Sequence, residues 1–243
     1  QLRREVRLAA EIQRALQPED RAAIPGLEIE VLFEPCHEVG GDYWDVIPVS
    51  DDRWWIVVAD VSGKGVPAGL VASNIQACLW TRRSGPEALT SIVADINEIL
   101  CRLTRGRKYA TLVAAEWNST NDTLTWVSAG HPPLMLRRNG SIRDYGATGR
   151  PIGLLSDQSY ESERAELAEG DTVLLFTDGL LEAGGLSGSD EFGLDRIRTC
   201  LSVDGSPRTV IERLTAALAA HIDGDEPEDD VTLVCIRRKV TNR

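Results

Sequence analysis

Apolar and polar residues alternate with a period of two from Leu27: Leu27, Ile29, Val31 and Phe33 interleave with Glu28, Glu30 and Glu34. Successive side chains of a strand point to opposite faces, so this pattern predicts a half-buried strand. Two more strands are predicted at about 42–49 and 53–59, joined by the polar Ser50-Asp51-Asp52 turn. Ala110–Trp117 and Thr123–Ala129 form the next pair through Asn121-Asp122. Leu134–Arg137 and Ile142–Tyr145 flank Asn139-Gly140, a strong hairpin signal. Thr172–Thr177 is apolar enough for a strand covered on both faces, and Val231–Arg237 is the last strand.

Elsewhere the period lengthens to that of a helix. Residues 1–17 contain no glycine or proline, and Leu2, Val6, Ala9 and Leu16, with Gln13 in the gap, form a short heptad-like stripe. Val66–Arg83 reads as a helix with Pro67 suited to its first turn, and Gly85-Pro86 breaks it. Glu87–Leu103 carries Leu89, Ile92, Val93, Ile96, Ile99, Leu100 and Leu103 at helical spacing. Further helices are expected near 192–202 and 207–222. Residues 146–170 are polar, irregular and rich in glutamate, and a mobile segment is expected there.

The order is strands, two helices, many strands, two helices, a last strand. An α+β, four-layer α-β-β-α sandwich buries all of it: two stacked, mainly antiparallel sheets flanked by helix pairs. Two parts are expected, an N-terminal signalling or linker helix over 1–20 and one domain over 21–243. The stripe on the first helix suits packing on its own domain, or dimerisation and linkage to an upstream sensor. Gln1 is not a natural start, so a piece of a longer protein is expected.

Composition narrows the functions. The chain has 243 residues, 42% hydrophobic and 26% charged, which suits one generous globular domain. No apolar run reaches 18 residues, so no membrane span is expected. A net charge of -12 argues against a general nucleic-acid binder. Cys36, Cys78, Cys101, Cys200 and Cys235 are odd in number and scattered, as reduced core residues of a cytoplasmic protein would be.

The chemistry is carried by acids. Asp42, Asp60, Asp178 and Asp229 each stand at the end of an apolar strand, beside a turn. Any one alone is explained by the ordinary preference of aspartate for turns and helix caps. Four together, with Gly41 before Asp42 and Gly179 after Asp178, point to a shared metal site. An antiparallel pairing of the 42–49 and 53–59 strands brings Asp42 and Asp60 together, and the other two acids arrive from the far end of the chain. Clustered carboxylates suit hard cations such as magnesium or manganese. Such a site can hold two divalent ions, which lower the pKa of a bridging water and clamp phosphoryl oxygens.

These residues also fall in ordered motifs. Glu38-Val39-Gly40-Gly41-Asp42-Tyr43-Trp44-Asp45, Ala59-Asp60-Val61-Ser62-Gly63-Lys64-Gly65-Val66-Pro67-Ala68, Ala129-Gly130-His131-Pro132-Pro133, Thr177-Asp178-Gly179-Leu180-Leu181-Glu182-Ala183 and Asp229-Asp230-Val231-Thr232 resemble the metal-dependent type-2C (PPM) serine/threonine phosphatases. The bacterial SpoIIE/RsbU-like branch matches best, and Ala10–Pro18 resembles the helix that precedes the domain there. The resemblance implies hydrolysis of phosphoserine or phosphothreonine on a protein by two Mn2+ or Mg2+ ions. It implies that Asp60 bridges the ions, that the Val61 backbone carbonyl and Asp178 and Asp229 bind metal, and that Asp42 joins directly or through water. Asp229 rather than Asp230 is aligned with the ligand, because the family often has Asp-Asn there. The substrate class it implies is a phosphorylated anti-sigma-factor antagonist in a partner-switching stress response.

The chain departs from the eukaryotic pattern. Asp60-Val61-Ser62-Gly63 stands where those enzymes have Asp-Gly-His-Gly, and no phosphate-holding arginine is evident near the first strands. The bacterial branch shares both absences. Lys64 is a candidate to neutralise phosphate, set against a solvated turn lysine. His131 sits in a rigid Gly-His-Pro turn, where bonding a nearby loop is the better reading. Gly63-Lys64 is not a Walker A loop, since position 58 is Val and Gly65 follows the lysine. Two other functions fit the same acids: a catalytically weak docking or sensing module, and a phosphohydrolase of small molecules. Finally, the helices at 66–83 and 87–103 follow the Asp60 loop directly. A shift of that pair would move Asp60 and Val61 and change metal occupancy, and the N-terminal helix could bias it.

Overall fold

The structure is a computed structural model that describes residues 2–18, 23–85, 87–185, 190–223 and 227–240. The expected boundary at residues 20–21 and the break at Pro86 lie outside them. The chain forms two compact units, each built on one five-stranded antiparallel sheet.

The first unit comprises residues 1–22, 37–131 and 146–166. Its strands, numbered along the whole chain, are β2 (Tyr43–Ser50), β3 (Arg53–Val61), β4 (Ala110–Asn118), β5 (Thr123–Ala129) and β8 (Glu163–Glu166), in the order β2-β3-β4-β5-β8. Three helices accompany them: α1 (Leu2–Ala15), α2 (Val66–Arg82) and α3 (Leu89–Thr104). Trp55, Val57, Ala59 and Val61 of β3 pack with Ala68, Ala72, Ile75 and Leu79 of α2 and with Ile92, Val93, Ile96 and Leu100 of α3. Trp54, Ile56 and Val58, on the opposite face of β3, are buried as well. A strand buried on both faces needs a continuous apolar run, which β3 supplies.

The second unit comprises residues 23–36, 132–145 and 167–243. Its sheet runs β1 (Leu27–Glu34), β10 (Val231–Arg238), β9 (Thr172–Phe176), β6 (Leu134–Arg138), β7 (Ser141–Tyr145). The helices are α4 (Asp178–Leu181), α5 (Gly193–Ser202) and α6 (Pro207–His221). Leu174 and Phe176 of β9 and Leu233 and Cys235 of β10 form a core with Ile197, Leu201, Val210, Leu214 and Leu218. Ser206 caps α6, its Oγ accepting the Thr209 N–H at 3.2 Å, and Pro207 opens the first turn. The expected α+β class with two mainly antiparallel sheets and paired helices is what the chain has.

Three expectations need correction. Residues 146–170 are tied down rather than loose. Ile152 bridges Ala110, and Gly149 bridges Ala129. The Asn97 side chain accepts the Gly153 N–H at 2.8 Å and donates to the Leu155 carbonyl at 2.9 Å. The segment ends in β8, whose Glu163–Glu166 pair with Thr123–Trp126. β8 is a polar edge strand, so it carries no hydrophobic alternation to read. α4 was missed because a single turn has no period. Leu16 lies just past α1 and is exposed, as are Leu8 and Ile12 on the helix, and the inward face is Val6, Ala9, Ala10 and Gln13. Gln13 sets that rotation: its amide donates to the Gly40 carbonyl at 2.8 Å and accepts the Gly40 N–H at 3.1 Å.

No helix among the described residues is long and apolar enough to cross a membrane. The five cysteines form no disulfide with one another. Burial pushes the thiols of Cys78, Cys101, Cys200 and Cys235 up, so they are held protonated.

Candidate metal centre

In the first unit, β2 and β3 pair with Tyr43 opposite Ala59. Asp42 and Asp60 are the next residues in that register, at one end of the ladder. Asp42 is 2% exposed, and Asp60 is half-buried. Gly41 lets the chain close here. A Cβ at Gly41 would lie 3.0 Å from the Val61 carbonyl oxygen and 3.2 Å from the Gly63 carbonyl oxygen. The backbone before Asp42 therefore lies directly against the carbonyl that the resemblance assigns to metal.

The loop after Asp60 is fastened at three points. Ser62 N–H donates to the Tyr109 carbonyl at 2.9 Å, and the Ser62 Oγ accepts the Tyr109 N–H at 3.1 Å. Lys108 Nζ donates to the Ser62 carbonyl at 2.6 Å. Lys64 is exposed. The lysine that grips this loop is therefore Lys108, forty-six residues away in sequence, and no local pattern marks it.

Asp45, the last residue of the first motif, is a structural carboxylate. It is 2% exposed and accepts from Tyr43 Oη at 2.9 Å, Trp80 Nε1 at 2.7 Å and the Val46 N–H at 2.8 Å. It ties β2 to α2. Burial, and then the Asp45 charge, hold the Tyr43 hydroxyl well above its usual range, so it stays a donor.

In the second unit, Asp178 follows β9 and opens α4, while Asp229 precedes β10. Both line a cavity of about 210 Å³ with Gly179, Glu182, Glu191 and Glu228. Burial raises the Asp178 carboxyl to about 6, assisted by the charges of Glu182 and Asp229. A carboxylate so placed is costly to ionise unless a cation joins it, which is the test a hard-metal site must pass.

Asp230 is placed differently from Asp229. It is 6% exposed, its Oδ1 accepts the Cys36 N–H at 2.8 Å, and its carbonyl accepts from Thr177 Oγ1. Its own N–H donates to Asp229 Oδ1 at 2.9 Å. Asp230 thus anchors the strand entry, while Asp229 faces the cavity. Donor atoms of Cys36, Asp229 and Asp230 lie within 4.8 Å of one another. The placement of Cys36 beside these acids has no signal in its own stretch of sequence.

The histidines have other partners. His131 is 4% exposed, with Nδ1 2.8 Å from Thr111 Oγ1, and so bonds a neighbouring strand. His221 bonds the Asp190 carbonyl, and His37 is exposed.

The profile of the family described as Stage II sporulation protein E (SpoIIE) matches residues 50–239. The phosphoserine phosphatase RsbU of Bacillus subtilis (strain 168) is 26% identical over 249 positions, which cover 99% of this chain and 72% of that protein. Protein IcfG of Synechocystis sp. is 23% identical, and the match covers 97% of this chain but 42% of that protein. Among solved structures, the SiaA-PP2C domain of Pseudomonas aeruginosa superposes with a TM-score of 0.82 at 24% identity, covering 97% of this chain and 96% of that one. The structure of the RsbU and RsbW domains of Rv1364c from Mycobacterium tuberculosis gives 0.73 at 26% identity, covering 90% and 62%. With strand-end acids, fold and profile in agreement, the chain belongs to the SpoIIE family and carries its PP2C-type phosphatase domain.

Proposed function

We propose that this chain is a manganese- or magnesium-dependent phosphatase that removes phosphate from serine or threonine of a regulatory protein. The supporting observation is the placement of its acids. Asp42 and Asp60 stand just past the Tyr43–Ala59 pair of β2 and β3, and Asp178 and Asp229 line one cavity, each set beside a glycine that admits backbone where a side chain would collide. The proposed ligands are Asp42, Asp60, the Val61 carbonyl, Asp178 and Asp229. Two bound ions would supply an activated water nucleophile and neutralise phosphoryl oxygens. The chain's own part is to hold five oxygen donors in place. Gly41 presses its loop on the Val61 carbonyl, Lys108 and Tyr109 fix Ser62, and Asp230 steadies Asp229. The solved RsbX structure, at 19% identity and a TM-score of 0.68, is of a complex with magnesium, which agrees with a hard-metal site.

The proposed substrate is a phosphorylated anti-sigma-factor antagonist in the cytoplasm, released for partner switching. The relatives named phosphoserine phosphatase RsbU and RsbP support phosphoserine as the group attacked. An upstream sensor domain, or a second copy meeting α1, is the proposed input. The Gln13–Gly40 hydrogen bonds connect α1 to the loop before Asp42.

The deciding experiment is phosphate release from a phosphoserine peptide and from a nucleotide, with manganese binding followed by calorimetry. Turnover of the peptide, loss on chelation and recovery with Mn2+ are expected. Preferential turnover of the nucleotide would make it a small-molecule phosphohydrolase. Absence of manganese binding would make it a docking or sensing module.

Gly41→Ala tests the carbonyl cradle. The neighbours are the Val61 and Gly63 carbonyl oxygens at 3.0 and 3.2 Å and the Ala68 Cβ at 3.2 Å, so the loop must give by a few tenths of an ångström. Displacing a ligand's support by that much is expected to weaken Mn2+ binding by about tenfold, as loss of supporting contacts does elsewhere. Calorimetry showing wild-type affinity would remove Gly41 from this role.

A further inference from the structure

The α3–β4 connection reads Arg105-Gly106-Arg107-Lys108, a basic run in a chain of net charge -12. Its place is set by the β3–β4 ladder. Asp60 pairs with Thr111 and Val61 with Ala110, so residues 105–109 continue beside Ser62 and Gly63. Lys108 Nζ donates to the Ser62 carbonyl at 2.6 Å, and a Cβ on Gly63 would meet that nitrogen at 2.5 Å. The basic loop is therefore bolted to the Asp60 loop itself.

Its remaining charges are unspent. Several arginines elsewhere are ion-paired: Arg53 with Glu116, Arg102 with Glu98, Arg137 and Arg237 with Asp204, and Arg138 with Asp171. Arg105 and Arg107 are exposed, and neither side chain has an ion-pair partner among the described residues. Arg105 adopts φ 54 and Gly106 φ 68, a left-handed turn that closes α3 and sends the chain outward before Lys108 returns it. A protein with 38 acidic and 26 basic residues has ample carboxylate to pair two arginines, yet these two carry none.

We infer that the Arg105–Lys108 loop is a docking element for acidic residues flanking the phosphorylated residue of the substrate. This rests on the phosphatase reading of the Asp60 loop and adds the substrate's chemistry to it. A rim of unpaired positive charge beside an acidic centre also offsets the repulsion that a phosphorylated, acidic protein would meet on approach.

The test compares two phosphoserine peptides, one with aspartates around the phosphoserine and one with neutral residues, using the 243-residue chain with Mn2+. The wild type is expected to favour the acidic peptide by about tenfold in kcat/KM, through KM, and to lose that preference near 0.5 M salt, where the Debye length falls to roughly 4 Å. Arg105→Ala/Arg107→Ala is expected to bring the ratio of the two peptides close to one. Arg105→Glu/Arg107→Glu is expected to invert it. Equal kcat/KM for both peptides in the wild type, or a ratio that survives the double substitution, would overturn the inference.

Anisotropy with a fluorescein-labelled acidic phosphopeptide measures docking independently of turnover, and Kd is expected to rise about tenfold in the alanine pair. If the chain hydrolyses neither peptide nor p-nitrophenyl phosphate, the phosphatase reading fails, and the anisotropy result still decides the docking. Tighter binding of a single-stranded oligonucleotide than of the peptide would assign the loop to nucleic acid instead.

Discussion

Asp178→Asn is expected to lower turnover of a phosphoserine peptide by more than about a hundredfold while the fold stays intact. Losing a residue that merely supports a metal ligand costs 10–100-fold, and loss of the ligand itself exceeds that. Asparagine keeps the size and one carbonyl oxygen but surrenders the charge that balances a divalent cation. The fold has no reason to suffer. The Asp178 carboxyl is raised to about 6 by burial and by the charges of Glu182 and Asp229, so ionising it is a cost to the metal-free protein. An amide removes that cost. The metal-free variant is therefore expected to unfold no earlier than the wild type, with an unchanged circular dichroism spectrum. Calorimetry is expected to show Mn2+ binding weakened in step with the rate. Wild-type phosphate release by a folded Asp178→Asn variant would make the metal assignment wrong at this position.

What the sequence made legible follows from where a signal is local. The hairpin at Asn139-Gly140 was readable because both residues take positive φ, 50 and 81, as a two-residue turn of this kind demands. The strands buried on both faces, β3 and β9, announced themselves as apolar runs. The acids at the strand ends were readable because each closes or opens an apolar run, and glycine stands directly beside Asp42 and Asp178. Signals that depend on the partner were not. Glu163–Glu166 forms a strand only because β5 offers an edge. Leu16 falls outside the buried face of α1 because Gln13 binds Gly40. Asp45 resembles its neighbour Asp42 in sequence, yet it serves Tyr43 and Trp80. Lys108 and Cys36 acquire their positions from chain segments far away. The candidate ligands were thus legible from one-dimensional pattern plus resemblance, and the groups that hold them were not.

The second large effect belongs to a glycine, Gly179→Ala. A Cβ there would lie 2.0 Å from the Asp230 carbonyl oxygen and 2.9 Å from its carbonyl carbon. Neither atom is a flexible tip that can swing aside. The Asp230 carbonyl accepts from Thr177 Oγ1, and Thr177 N–H donates to the Thr232 carbonyl at 3.1 Å while Thr232 N–H donates to Thr177 Oγ1 at 3.0 Å. The methyl group must separate the end of β9 from the start of β10. Inserting carbon into a packed interior costs about 1–3 kcal/mol, and a clash with backbone sits at the top of that range. For a chain of this size, that corresponds to a fall in Tm of roughly 6–12 °C. Gly146→Ala is the matched control, since a Cβ there meets nothing within 4 Å, and its Tm is expected to stay within about 2 °C of the wild type. Scanning calorimetry on the metal-free proteins reads both. A Gly179→Ala protein as stable as the control would mean that the β9 and β10 ends do not approach this closely in solution. The pair of variants also separates two causes that activity alone confounds. Asp178→Asn removes charge at constant geometry and loses metal without losing stability. Gly179→Ala keeps every carboxylate, moves the backbone that carries Asp229, and loses stability together with metal.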